Sequence, residues 1–401
     1  MTTKFSKAIQ DNFIDLSKKR ALQRLIFLNK PRKNKMTQIP PQKKVSQLIK
    51  YYQEASYENA EKLAKSITEY FPNHILSLKI LGVVLQKLGK VSQALKPMKQ
   101  LIALNYDDPE AHNNLGVIYY DLCQFKNAEA NYRQAIRFKP DYSEAHNNLG
   151  NALKELSRLE EAEKSYRQAI KLKYDYAEAY YNLGSLLQQL SRFNEAEISY
   201  RKAISLKHDF ASAYNNLGNT LKELGKLNEA EQSYKQALVI KPNLIQAHHN
   251  KNFCLNYSSL LSLDLVYQEH IQFEKYFGGL KVRTSLDLSF EKTPHDLLRI
   301  GYVSGDFKKH SVAYFFETLL EHHNSNSVEI FCYYNDHVID NTTKRLMSLA
   351  NQWRSIYRIS DQDTVDLIKK DKIDILVDLS GHTAKNRLLV FSQKPAPIQV
   401  T

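Results

Sequence analysis

Cysteine is scarce in this chain and scattered. Cys123, Cys254 and Cys332 form no close-spaced pair, which argues against a disulfide framework or a zinc site and makes a reducing cytoplasm the simplest expected location. No His pair stands at zinc spacing, so no metal is expected. Long hydrophobic runs are also missing. Phe13 to Leu28 has apolar residues at loosely helical spacing, but Lys18, Lys19, Arg20 and Arg24 interrupt it, so it is neither a signal-peptide core nor a membrane span. There is no P-loop, no G-x-G-x-x-G after a strand and no G-x-S-x-G, so nucleoside triphosphate hydrolysis, a dinucleotide cofactor and α/β-hydrolase chemistry have no motif behind them. No cofactor is expected.

Acidic residues are scarce at the amino terminus. Residues 1–50 hold 13 Lys and Arg against two Asp, which accounts for most of the net charge of +13. A basic arm on a nearly neutral body argues against a general nucleic-acid-binding protein, whose basic residues would spread over the folded surface. Residues 1–44 read as a solvated, disordered arm, with Lys30 to Lys35 and Pro40 to Lys44 resembling a linker.

What is present is a period. Leu115-Gly116, Leu149-Gly150, Leu183-Gly184 and Leu217-Gly218 recur every 34 residues, the tetratricopeptide length. Ala60, Ala94, Ala128, Ala162, Ala196 and Ala230 fall in step with them. So do Tyr132, Tyr166, Tyr200 and Tyr234, and Ala135, Ala169, Ala203 and Ala237. Small residues let two helices approach where they cross, and Tyr and Leu fill the gap to the next hairpin. Roughly six helix pairs are expected over residues 45–255, the outermost irregular. Asp107, Asp141, Asp175 and Asp209 precede the first helices, where short acidic side chains suit a helix start.

Asn114, Asn148, Asn182, Asn216 and Asn250 share the period, each one residue before the Leu position. Asn forms helices poorly and its amide is costly to bury, so the column calls for a reason. In an inner groove it could bond the backbone of an extended peptide. It could equally be a solvated residue carried along by duplication. His112, His146 and His248, which alternate with Tyr180 and Tyr214, read as packing residues.

Residues 256–296 read as a helical linker broken by Gly278 and Gly279. Beyond it, strand-like runs at Leu298 to Val303, Val328 to Tyr333 and Ile373 to Leu379 alternate with helical patterns at Val312 to His322, Thr342 to Ala350 and Asp363 to Lys370. That alternation predicts a parallel sheet with right-handed crossovers, its working residues on loops after the strands. The loop after the first strand holds Asp306 and His310, and the loop after the last holds Asp378, Ser380, His382 and Thr383. An imidazole can take or hand over a proton near neutral pH, and a hydroxyl can orient a substrate oxygen. By spacing alone, a His after a strand is ordinary loop chemistry.

The runs Arg299-Ile-Gly-Tyr-Val-Ser-Gly-Asp-Phe-Lys-Lys-His310-Ser-Val, Asp374-Ile-Leu-Val-Asp-Leu-Ser-Gly-His-Thr383 and Lys394-Pro-Ala-Pro-Ile-Gln-Val-Thr401 resemble the O-linked N-acetylglucosamine transferase and SPINDLY family. The resemblance implies an all-α tetratricopeptide superhelix followed by an α/β Rossmann-like lobe, the first half of a GT-B type glycosyltransferase at residues 297–401. It implies an inverting, metal-free enzyme moving a sugar from a nucleotide donor to Ser or Thr of proteins held by the repeats. The donor implied is UDP-N-acetylglucosamine (UDP-GlcNAc), with GDP-fucose as the alternative, because Gly381-His382-Thr383-Ala384, though nearer the plant SPINDLY and bacterial branches, does not choose between the two donors. His310 matches the family's active-site histidine, and Ser380, His382 and Thr383 fall on the donor-sugar side, Ser380 standing where the animal enzymes have Asn and His382 where they have Tyr. The Asn column matches a peptide-gripping ladder. A proton-accepting role for His310, Asp378 or Asp306 is the chemistry these loops offer. The sequence stops before the family's second lobe, so the chain is expected to be a fragment that binds peptide and is nearly inactive alone. A pure tetratricopeptide scaffold is the competing expectation.

Overall fold

The computed structural model describes residues 39–257, 262–278 and 297–401. Most of the basic arm, including Phe13 to Leu28 and Lys30 to Lys35, and much of the linker, including Gly279, lie outside the described residues. Two compact units are present, one ending at Leu186 and the other beginning at Leu187, so the division falls inside the repeats.

The unit ending at Leu186 is built of helix pairs: α1 (Gln42–Gln53) with α2 (Tyr57–Tyr70), α3 (Ile75–Lys87) with α4 (Val91–Leu104), α5 (Pro109–Asp121) with α6 (Phe125–Phe138), and α7 (Ser143–Glu155) with α8 (Leu159–Leu172). Helix α9 (Ala177–Gln189) contains the division between the units. Helix α1 begins before Val45, so Lys43 and Lys44 are helical and do not belong to a linker. The second unit continues with α10 (Phe193–Leu206), α11 (Ala211–Glu223), α12 (Leu227–Ile240), α13 (Ile245–Leu255) and α14 (Leu263–Gly278).

The recurrent Gly and Tyr are one device. A Cβ at Gly116 would fall 2.5 Å from Cε1 of Tyr132; Gly150 stands likewise to Tyr166, and Gly218 to Tyr234. The glycine is therefore required by the ring of the paired helix, while the periodic alanines are fully buried. Tyr166 and Tyr234 each donate their hydroxyl hydrogen to an Asn side chain at 2.8 Å, which satisfies the only polar atom of an otherwise buried side chain.

The acidic helix starts are corrected in part. Asp108, not Asp107, caps α5, accepting from the Glu110 and Ala111 N–H groups. Tyr142 and Phe210 hold the cap positions of α7 and α11 with no side-chain cap bond, one residue beyond Asp141 and Asp209. Those aromatic rings lie instead under Lys139 and Lys207, at 4.7 and 4.8 Å, so a cation–π contact closes each turn. His112, His146 and His248 each donate from Nε2 to a turn carbonyl six residues earlier, at 2.8 to 3.0 Å, which accounts for their place in the aromatic slot.

From Leu298 the second unit is α/β: β1 (Leu298–Ser304), α15 (Ser311–Glu321), β2 (Val328–Tyr334), α16 (Asn341–Leu349), β3 (Gln352–Ser355), α17 (Asp361–Lys370), β4 (Ile375–Asp378), α18 (Leu388–Phe391) and β5 (Ile398–Val400). The sheet is parallel in the order β3-β2-β1-β4-β5. Both faces are covered, with Tyr302, Ile330, Cys332 and Tyr334 against α15 and α16, and Val303, Phe331 and Tyr333 against α17 and α18. That explains why β1 and β2 read as nearly continuous apolar runs. Strands β3 and β5 escape the sequence reading because Gln-Trp-Arg-Ser has little apolar content and Pro395 and Pro397 mask the other, both being edge strands.

Gly150→Ala tests the close approach. A gain of about 1 kcal/mol in helix propensity opposes about 1–3 kcal/mol of overpacking against the buried Tyr166 ring. Urea denaturation should therefore show a net loss of stability; a gain would mean the ring is free to move.

Candidate functional site

The strand order places a topological switch point between β1 and β4, the position where open parallel sheets accept ligands beyond their carboxyl ends. Val303 lies opposite Asp378, and the Leu379 N–H bonds the Val303 carbonyl at 3.1 Å. The two loops holding the candidate residues therefore leave the sheet as neighbours.

In the first loop, Phe307 is completely buried and stacks on Phe316 at 4.8 Å. Ser304 Oγ accepts from the Asp306 N–H. These two anchors set up His310, which caps α15 by accepting the Val312 N–H at Nδ1, 3.3 Å away. The same nitrogen lies 3.9 Å from Asp306 Oδ2. With Nδ1 accepting, the neutral ring carries its proton on Nε2. A tautomer shift that places the proton on Nδ1, toward Asp306 and at the expense of the cap bond, would free Nε2 as a base.

In the second loop Asp378 is buried, with one oxygen accepting the Ser380 N–H at 3.0 Å and the other the Gly381 N–H at 2.8 Å. Burial raises its pKa, the two N–H groups opposing. This carboxylate shapes the turn, in which Gly381 adopts φ +53. Thr383 donates to the Ser380 carbonyl at 2.6 Å. Ser380 Oγ is buried without a hydrogen-bond partner. His382, expected toward the donor sugar, has both ring nitrogens on other histidines: Nδ1 is 2.7 Å from His249 Nδ1, and Nε2 is 3.1 Å from His270 Nδ1. Burial first, then the neighbouring imidazoles, lowers its pKa to about 3, and burial followed by His248 takes His249 to about 4. The structure thus brings His310 to Asp306 and Asp378 to Ser380, and it turns His382 toward α13 and α14.

A third loop, after β2, joins the first two. Asp336 Oδ2 accepts from Lys308 Nζ at 2.6 Å and also from Lys385 Nζ, while Oδ1 accepts the His337 N–H. Burial alone would raise this carboxyl, but the hydrogen bonds from Lys308 and Lys385 outweigh it and hold the group well below the usual carboxylate range. Asn335 Nδ2 donates to the Lys385 carbonyl and its Oδ1 accepts from Arg387. A Cβ on Gly305 would fall 2.7 Å from Lys385 Cβ, so the first and last loops touch because that residue is Gly. Sequence reasoning missed Asp336, Lys385 and Arg387, whose partners are far away along the chain.

The asparagine column has a packing partner after all. In the first unit Asn148 donates to Asn113 at 3.1 Å and Asn182 to Asn147 at 2.9 Å; in the second, Asn250 donates to Asn215 at 3.0 Å. The accepting residues are buried one position before the column, so each amide links consecutive repeats. Asn216 accepts from Asn215 at 3.2 Å. A second N–H and further lone pairs belong to the Asn148, Asn182 and Asn250 amides beyond these bonds. Asn114 belongs to α5 and is half-buried.

Among the described residues no His, Cys, Asp or Glu group could hold a metal ion, and no helix is long and apolar enough to cross a membrane. Tetratricopeptide hairpins together with a doubly wound α/β lobe carrying His, Asp and hydroxyl side chains at its switch point define the class as a helical-repeat protein with an α/β lobe of the ligand-site type. Residues 280–401 match Glycosyl transferase family 41, and tetratricopeptide repeat families match residues 109–142, 177–210 and 211–244, with others over 131–164 and 150–191. A tomato (Solanum lycopersicum) protein named probable UDP-N-acetylglucosamine–peptide N-acetylglucosaminyltransferase SPINDLY is 38% identical over 157 residues, 38% of this chain and 17% of its own length. An Arabidopsis thaliana protein with the same enzyme name and the designation SEC is 39% identical over 106 residues, 26% of this chain and 11% of its own. A solved mutant of the Thermobaculum terrenum O-GlcNAc transferase superposes with a TM-score of 0.54 at 31% identity, covering 65% of this chain and 50% of that one. Residues 280–401 are thus similar to Glycosyl transferase family 41, and the chain to named N-acetylglucosaminyltransferases of the SPINDLY and SEC type, the matches spanning about a sixth or less of the length of these two curated relatives.

Two outcomes follow from the electrostatics. Asp336→Asn should release Lys308 and Lys385, cost about 1–3 kcal/mol and speed amide exchange in residues 305–310 and 384–387 while the sheet stays protected. For His249 and His382, folded-state values of about 4 and about 3 lie below the ordinary 6.5, so the unfolded chain binds more protons. Their contribution to stability is complete above about pH 6.5 and is lost as the pH falls toward 4. Denaturation midpoints at a series of pH values should show this slope, and His382→Asn should flatten it.

Proposed function

We propose that this chain is part of a protein O-glycosyltransferase, which moves a sugar from a nucleotide donor to Ser or Thr hydroxyls of polypeptides held by the repeats. The observation that carries the reading is the His310–Asp306 pair at the switch point, beside the turn of Ser380 and Thr383. UDP-GlcNAc is the first-choice donor, the sugar nucleotide in the names of the curated relatives, and GDP-fucose is the alternative. The acceptor oxygen attacks the anomeric carbon, the bond from that carbon to the diphosphate oxygen breaks, and the nucleoside diphosphate leaves with inversion. His310 Nε2 takes the acceptor proton while Asp306 steadies the imidazolium through Nδ1–H. Asp378 is the weaker base candidate, because both its oxygens already hold the turn. Ser380 and Thr383 face the donor sugar in this reading, no metal takes part, and the column from Asn114 to Asn250 bonds the acceptor backbone. Three free thiols suit a reducing compartment such as the cytoplasm.

The test is transfer from labelled UDP-GlcNAc and GDP-fucose by the full-length protein of which this chain is proposed to be part, run in parallel with an unfolded acceptor polypeptide. His310→Ala should lower kcat by about 10²–10⁴, and undiminished transfer would remove His310 from the chemistry. Replacing Asn148, Asn182 and Asn216 together by Ala should raise KM for a long acceptor more than for a short one. Unchanged KM with lowered stability would leave the column a packing device only.

A further inference from the structure

Three rungs of the asparagine ladder obey one rule: the column Asn of a repeat donates to the residue 35 positions earlier, as Asn148 to Asn113, Asn182 to Asn147 and Asn250 to Asn215. The next acceptor slot, 34 residues after Asn215, is His249 on α13. No further column residue meets it among the described residues. The group that meets it is the ring of His382, from the loop after β4. We propose that His382 is the terminal rung of this ladder, and that His249 and His270 are positioning residues which lock the loop bearing Ser380 and Thr383 to the last repeat. The inference rests on the glycosyl-transfer reading for what that loop does, and on geometry alone for the lock.

The hydrogen-bond directions are determined by one acceptor. Asn256 Oδ1, 3.3 Å from His270 Nε2, can only accept, so that nitrogen carries its proton. His270 Nδ1 is then bare and accepts from His382 Nε2–H. His382 Nδ1 is left bare in turn and accepts from His249 Nδ1–H. The result is a single directed chain of neutral imidazoles from α13 through the loop to α14. Phe273 closes it from the side, its ring 4.8 Å from His249 and edge-on to His382 at 5.1 Å. Each buried ring nitrogen between the three histidines has a partner, so the loop cannot rotate away without stranding at least two of them. A turn held this way presents its neighbours Ser380 and Thr383 in one orientation, which is what donor placement demands.

The test combines ring ¹⁵N spectra with kinetics. In the parent protein His382 should show a protonated Nε2 and a bare Nδ1. In the full-length protein His249→Ala should turn this into a rapidly averaging tautomer mixture, raise amide exchange in residues 379–384, lower kcat about ten- to a hundredfold and lower the melting temperature by a few degrees, as loss of a buried hydrogen-bonded ring requires. His249→Asn, which restores the residue type of the earlier rungs, should fall between the two. A tautomer mixture at His382 in the parent, or parent-like kcat and loop exchange in His249→Ala, would overturn the proposal. A full-length parent protein with the directed imidazole chain that transfers sugar to no acceptor would refute the glycosyl-transfer reading and leave the lock standing.

Discussion

The parallel pairing of β1 with β4 is the contact on which the site depends. The chain winds outward in one direction through β1, β2 and β3, then returns to the other side of β1 with β4. Only that return brings residues 304–310 beside 379–387, two segments far apart along the chain. The helices on both faces and the apolar content of β1 and β2 serve to bury the carboxyl half of β1 beside β4, and Gly305 permits the final approach of the loops. Everything chemical in the second unit is arranged along the edge so created.

Along that edge the buried charged and imidazole groups carry their own compensation, whereas Ser380 Oγ is buried without a partner. Asp336 is charged because two lysines and a backbone N–H make up for lost water. Asp378 accepts two backbone N–H groups, and the histidines from α13, α14 and the turn stay neutral by bonding one another. His310 is different. Its ring is partly exposed and held only by a long cap bond and a distant carboxylate. A group that must exchange a proton with a substrate needs such freedom, and a group that must hold a loop does not.

Much of this is legible in the sequence because it is local. The 34-residue period, the alanines and the Leu-Gly pairs follow from helix crossing. The strand-helix alternation places β1, β2, β4 and the helices α15, α16 and α17 to within two residues at either end. The third predicted strand, Ile373 to Leu379, becomes β4 (Ile375–Asp378) and is the fourth along the chain. Both candidate loops fall on one edge as expected, since parallel sheets oblige loops after strands to share an end. The short edge strands β3 and β5 are not visible, because edge strands with few apolar side chains leave no pattern.

By itself, the sequence determined which residues repeat, which segments can be helix or strand, and which side chains with proton chemistry follow the strands. Those properties depend on neighbours within a turn or two of chain. The tertiary structure alone decided the partners: Lys308 and Lys385 on Asp336, Asn on Asn between repeats, and His382 on His249 and His270. Such partners lie 28 to 133 residues apart, where periodicity carries no information about distance and only folding brings the charges and amides within reach.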